Sequence, residues 1–177
     1  MAKNSIKQIE EDENRIIKEL SNNSNKSINE IAKKCGFSRQ KVWRIIKNLE
    51  SDKTIWGYVA VTNEEKIGKK HFVVLIKRSS LPLDRKMIDK IVKRELDKES
   101  ETIGVEILTS SYVNGIYDWV ICLMAKDIKD AKRFCENLNR TFEGYISEIH
   151  LLEDMFSAKK CGIQNPEIEK LTKFFNL

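Results

Sequence analysis

The chain has 177 residues, of which 41% are hydrophobic, with 7 Gly, 2 Pro, 32 Lys and Arg, 27 Asp and Glu, and a formal net charge of +5. That apolar content supports a real core, and the scarcity of Gly and Pro excludes a fibrous or low-complexity protein. Between Lys26 and Lys53 eight cations stand against three acids, and the remainder balances at 24 against 24. This confinement suits a nucleic-acid footprint, and on charge alone it equally suits a solvated lysine-rich surface.

The first apolar stripe, Ile9, Ile16, Ile17 and Leu20, predicts a helix that stops at the polar stretch 21–26 (SNNSNK). A second helix starts at Ser27, with Glu30 three residues on to complete a capping box. Its apolar residues Ile28, Ile31, Ala32 and Cys35 follow helical spacing, and Gly36 is its stop. Ser38 then caps a third helix running to about Glu50. A turn of about three residues forces the second and third helices to cross steeply, which is helix-turn-helix geometry.

The third helix has two faces. Val42, Ile45, Ile46 and Leu49 form an apolar one, and Gln40, Trp43, Arg44 and Lys47 repeat the same spacing half a turn away. Arg and Gln side chains suit bidentate contacts with purine edges in the major groove, so Arg39, Gln40, Trp43 and Arg44 are the base-reading candidates. Lys41 and Lys47 suit phosphates. With Ser38 at the helix start, these seven residues make the expected DNA-binding set.

The β-rich segment 54–63 (TIWGYVAVTN) fits a two-stranded wing or a strand leading away from the helices. The polar stretch 64–70 (EEKIGKK) is the expected linker between a winged helix-turn-helix domain at 1–63 and a second domain at 71–158. There the pattern changes to strand (HFVVLIK), helix (84–96), strand (103–110), strand (115–124), helix (128–142) and strand (145–152). That order predicts a ferredoxin-like βαββαβ domain, hence an α+β protein. Apolar residues occupy both phases of 72–76 and 119–124, so the sheet face away from the helices needs a cover, most simply a second copy. The tail, 159–177, carries Asn165 as a cap, Pro166 at a first helical position, and Ile168, Leu171, Phe174 and Phe175 on a stripe, predicting a short docking helix.

The four cysteines form no C-x-x-C pair and have no nearby His, so neither a metal nor another cofactor is implied. Unpaired cysteines, a polar N-terminus and no apolar run near the ~18 residues of a membrane helix point to a cytoplasmic protein without a membrane partner.

Taken together, IEEDENRIIKEL, INEIAKKCGFSRQKVWRIIKNLE, IWGY and VNGIYDW, in this order and spacing, make residues 9–155 resemble the Lrp/AsnC family of prokaryotic transcription regulators. The resemblance implies a DNA-binding N-terminal domain and a second domain that forms dimers, tetramers or octamers. It also implies a small effector, commonly an amino acid, bound near a G-x-Y-D loop. Carried over by residue, this gives Gly115, Tyr117 and Asp118, with Asn114 beside them; the alternative is that Gly115 supplies a turn and Asp118 caps its backbone. The family usually has Arg where Ile45 stands, and a Thr in its final strand that SEIHLL lacks. Siroheme decarboxylases share the two-domain layout, so an enzyme remains the alternative function. Against it, His71 and His150 sit in no recognisable catalytic constellation, and no enzymatic activity is expected.

Overall fold

The computed structural model describes residues 6–175, which form two compact units: one from 6–61 together with 158–175, the other from 62–157. In the first unit, α1 (Ile6–Asn22), α2 (Ile28–Cys35) and α3 (Arg39–Ser51) enclose a core of Ile16, Ile31, Ala32, Cys35, Val42, Ile45 and Leu49. Ile45 is part of that core, which explains why an apolar residue stands at this position.

The segment 54–63 forms no strand. Its backbone tie to the helices is Ile55 N–H to Leu49 O at 2.8 Å, and Trp56 beyond it is 95% exposed. Among the described residues, no two-stranded ladder therefore follows α3. The tail belongs with the helical unit and differs from the expected single helix. A two-residue hairpin, β5 (Lys159–Lys160) and β6 (Ile163–Gln164), precedes it. Asn165 Oδ1 then accepts the Glu167 N–H at 2.8 Å and holds a turn, so that the helix α7 covers only Lys170–Phe174.

The second unit starts earlier than expected. Residues 64–70 are no free linker: Glu64–Ile67 is a 3₁₀ turn begun by the Asn63 side chain and closed by the left-handed Gly68, and β1 (Lys70–Arg78) follows at once. Next come α4 (Arg85–Val92), α5 (Glu95–Thr102), β2 (Glu106–Tyr112), β3 (Trp119–Ala125), α6 (Ile128–Thr141) and β4 (Ile146–Glu153). The expected helix 84–96 is two helices, because Arg94 takes a left-handed conformation (φ 54°) and re-aims the chain. The strands pair antiparallel in the order β2-β3-β1-β4, the ferredoxin-like arrangement.

Strand alternation sends Phe72, Val74 and Ile76 of β1, with Trp119, Ile121 and Leu123 of β3, to one face, where Ala131, Phe134 and Leu138 of α6 cover them. Val73, Leu75, Val120 and Cys122 take the other face and stay half-buried, while Leu152 stays exposed. Phe134 is a fully buried large side chain of this core. Phe134→Ala should therefore cost about 3–5 kcal/mol in urea unfolding, the range for truncating a buried aromatic.

Candidate nucleic-acid interface

The turn between α2 and α3 is built from local rules. Ser27 Oγ accepts the Glu30 N–H at 3.3 Å while Glu30 Oε2 accepts the Ser27 N–H at 2.8 Å, which fixes the start of α2. At its end Gly36 is left-handed (φ 65°), and Phe37 N–H reaches Ala32 O at 2.9 Å, a Schellman closure. Ser38 Oγ accepts the Lys41 N–H at 3.2 Å and starts α3 two residues later.

Helix α1 pins this turn at two places. Arg15 Nη2 donates to Cys35 O at 2.7 Å, and its guanidinium lies 4.8 Å from the Phe37 ring centre. Lys41 Nζ lies 4.0 Å over the same ring and pairs with Asp12 Oδ2 at 2.5 Å. Asp12 is 3% exposed. Neither Asp12 nor Arg15 is among the residues expected from the sequence; the signal for Asp12 is that it falls on the Ile9/Ile16 stripe at helical spacing, where a charge requires a partner.

With Val42, Ile45 and Leu49 buried, α3 turns its other side outward. An open hollow of about 750 Å³ lies there, lined by Ile28, Ser38, Arg39, Gln40, Lys41, Trp43 and Arg44. Six of the seven expected DNA-binding residues thus meet at one place. Trp43 is 54% exposed and stacks on no other ring among the described residues. Lys47 lies farther along the helix, and its Nζ pairs with Glu50 Oε2 at 2.7 Å. Glu50 also accepts from the Tyr58 hydroxyl at 3.1 Å, and these two hydrogen bonds, Lys47's first, hold its carboxyl below the usual range.

The ion pairs divide the basic segment. Lys26 and Lys34 share Glu19 at 2.6 and 3.5 Å, Lys41 has Asp12, and Lys47 has Glu50. Lys33, Arg39, Arg44 and Lys53 have no ion pair among the described residues. Both arginines of the hollow are thus available to a polyanion.

The residues carried over for an effector lie in the second unit. Asp118 Oδ2 accepts the Arg78 N–H at 2.8 Å, and Asp118 N–H donates to Ile76 O at 2.9 Å, so Asp118 ties the β2–β3 turn to the end of β1. Tyr117 meets His150 edge-on at 5.6 Å between centres. Asn114 and Gly115 are exposed, and Gly115 has no positive φ. His71 faces Asp154 at 3.4 Å and His150 faces Glu148 at 3.3 Å, two separate pairs on β1 and β4. Burial pushes the Cys135 thiol up to about 11, leaving it protonated and a poor nucleophile.

Residues 13–55 match a family model described as winged helix-turn-helix DNA-binding. No curated protein matches. Solved structures do match across most of the chain. An AsnC family transcriptional regulator from Agrobacterium tumefaciens is 22% identical, with a TM-score of 0.62 over 84% of this chain and 92% of that one. AsnC of E. coli is 18% identical, with a TM-score of 0.57 over 85% and 94%. A transcriptional regulator of Neisseria meningitidis, solved as a complex with L-Met, is 13% identical, with a TM-score of 0.61 over 84% and 91%.

The Ser38 cap gives this interface a direct check. Ser38→Ala should lower stability by about 1 kcal/mol in urea unfolding, the usual cost of losing an N-cap, with the first turn of α3 losing amide-exchange protection. Helix-turn-helix unit, four-stranded sheet and family-model match agree: the chain has the fold of the Lrp/AsnC regulators, with a winged helix-turn-helix DNA-binding domain at its N-terminal end.

Proposed function

We propose that this chain is a transcriptional regulator that binds operator DNA through α3, acting as a homodimer or larger homo-oligomer and responding to a small effector such as an amino acid. The observation that carries the reading is the division of α3. It buries Val42, Ile45 and Leu49, and it presents Arg39, Gln40, Trp43 and Arg44 on an open hollow with neither arginine ion-paired among the described residues. Arginine and glutamine read purine edges, and an exposed Trp suits a thymine methyl. The AsnC and Lrp regulators that share the fold support the same reading.

The half-buried face of Val73, Leu75, Val120 and Cys122, with exposed Leu152 beside it, supports self-association, since a second copy offers the same apolar surface in return. Two copies would set two recognition helices on successive major grooves, about one helical turn apart. Asn114, Gly115, Tyr117 and Asp118 are the effector residues in this reading, and the L-Met complex of the Neisseria regulator supports an amino acid as its class.

Anisotropy titrations on a selected duplex and a random one test the assignment of α3. Arg44→Ala should lose about 1–3 kcal/mol on the selected duplex and far less on the random one, since a bidentate base contact is lost. Lys47→Ala should weaken both alike and flatten the salt dependence by about 0.9 in log–log slope, because its exposed pair with Glu50 exchanges readily for a phosphate. Equal losses for Arg44→Ala on both duplexes would remove it from the base-reading set.

A further inference from the structure

Among the cations of α3, Lys41 is the exception. It lines the hollow beside Arg39 and Arg44, yet its ammonium is held by the buried Asp12 carboxylate at 2.5 Å. We infer that Asp12 is a specificity-determining residue: it withholds Lys41 from DNA phosphates and so lowers the affinity of the recognition helix for duplexes of arbitrary sequence. This inference rests on the DNA-binding reading given above.

The geometry separates Lys41 from Lys47, the other paired lysine on the helix. Lys47 and Glu50 are both substantially exposed, at 54% and 32% of their side chains, so water solvates either charge when the pair opens. Asp12 has a side-chain exposure of 4%, and among the described residues it receives, besides Lys41, the Gln8 amide at 3.3 Å on its other oxygen. If Lys41 left for a phosphate, a buried carboxylate would be stranded without its cation, a far larger penalty than opening a surface pair. The Phe37 ring, 4.0 Å from Lys41 Nζ, holds the ammonium on the same side. A DNA phosphate that drew Lys41 away would gain one contact and leave the Asp12 carboxylate buried without its cation.

The consequence is a gain of binding on removing a side chain that never meets DNA. Asp12→Ala leaves Lys41 without an acceptor, within reach of the hollow. Its affinity for random duplex should rise, and its log–log salt slope should steepen by about 0.9, one added phosphate contact. Between 50 and 200 mM salt that amounts to an additional loss of about threefold to fourfold. Lys41→Gln should keep the wild-type slope, since the wild-type lysine makes no phosphate contact. The double variant should return to the wild-type slope, which routes the effect through Lys41.

Measurements use the full chain and a random-sequence duplex, with circular dichroism to confirm that each variant folds. An Asp12→Ala slope equal to wild type would overturn the inference, as would a Lys41→Gln slope flatter by about 0.9. The second result decides the matter even if Asp12→Ala fails to fold. A wild-type chain without salt-dependent duplex binding would overturn the DNA-binding reading and this inference together, whereas the two preceding outcomes leave that reading standing.

Discussion

Three residues, Gly36, Phe37 and Ser38, separate α2 from α3, and the direction of α3 follows from how they are held. The left-handed Gly36 reverses the chain, Phe37 N–H closes α2 onto Ala32 O, and the Ser38 hydroxyl opens α3. Helix α1 then clamps the junction from the side. Arg15 takes the last carbonyl of α2, Asp12 takes the ammonium of Lys41, and both cations lie against the Phe37 ring. A polar residue at Phe37, or an apolar one at Asp12, would loosen the angle at which α3 leaves the turn. The outward row of Arg39, Gln40, Trp43 and Arg44 has a defined geometry because of this clamp.

The two units divide the work by charge. Of the cations in the basic segment, those that carry ion pairs reach acids of their own unit, on α1 or α3, and the two arginines of the hollow carry none among the described residues. The formal excess of +5 is therefore a poor measure of what a polyanion meets. What matters is which cations remain unpaired, and which pairs are exposed enough to exchange. The sheet unit spends its hydrogen bonds differently: Asp118 fastens the β2–β3 turn to β1, so the loop assigned to an effector starts from a tied base.

Elements with a strong period were legible in the sequence. The Ser27 and Glu30 box, the Gly36 stop, the Ser38 cap and the two faces of α3 all follow from local chemistry and stand where the spacing puts them. The order of strands and helices after residue 70 was legible for the same reason. What escaped depended on contacts distant in sequence or on backbone conformations without a residue signature. Arg94 is left-handed although arginine does not favour that region, so nothing announced the break between α4 and α5. The segment 54–63 has strand composition but pairs in no sheet among the described residues. The ion pair of Lys41 was not legible because its partner, Asp12, lies 29 positions earlier on another helix.

Recovery of bound sequences from a random duplex pool tests whether α3 reads DNA as part of a symmetric assembly. A dimer reading DNA through α3 should enrich an inverted repeat whose half-sites lie about 10–10.5 base pairs apart, or a multiple of that, centre to centre. A pool that returns no common sequence while the chain remains folded would contradict it.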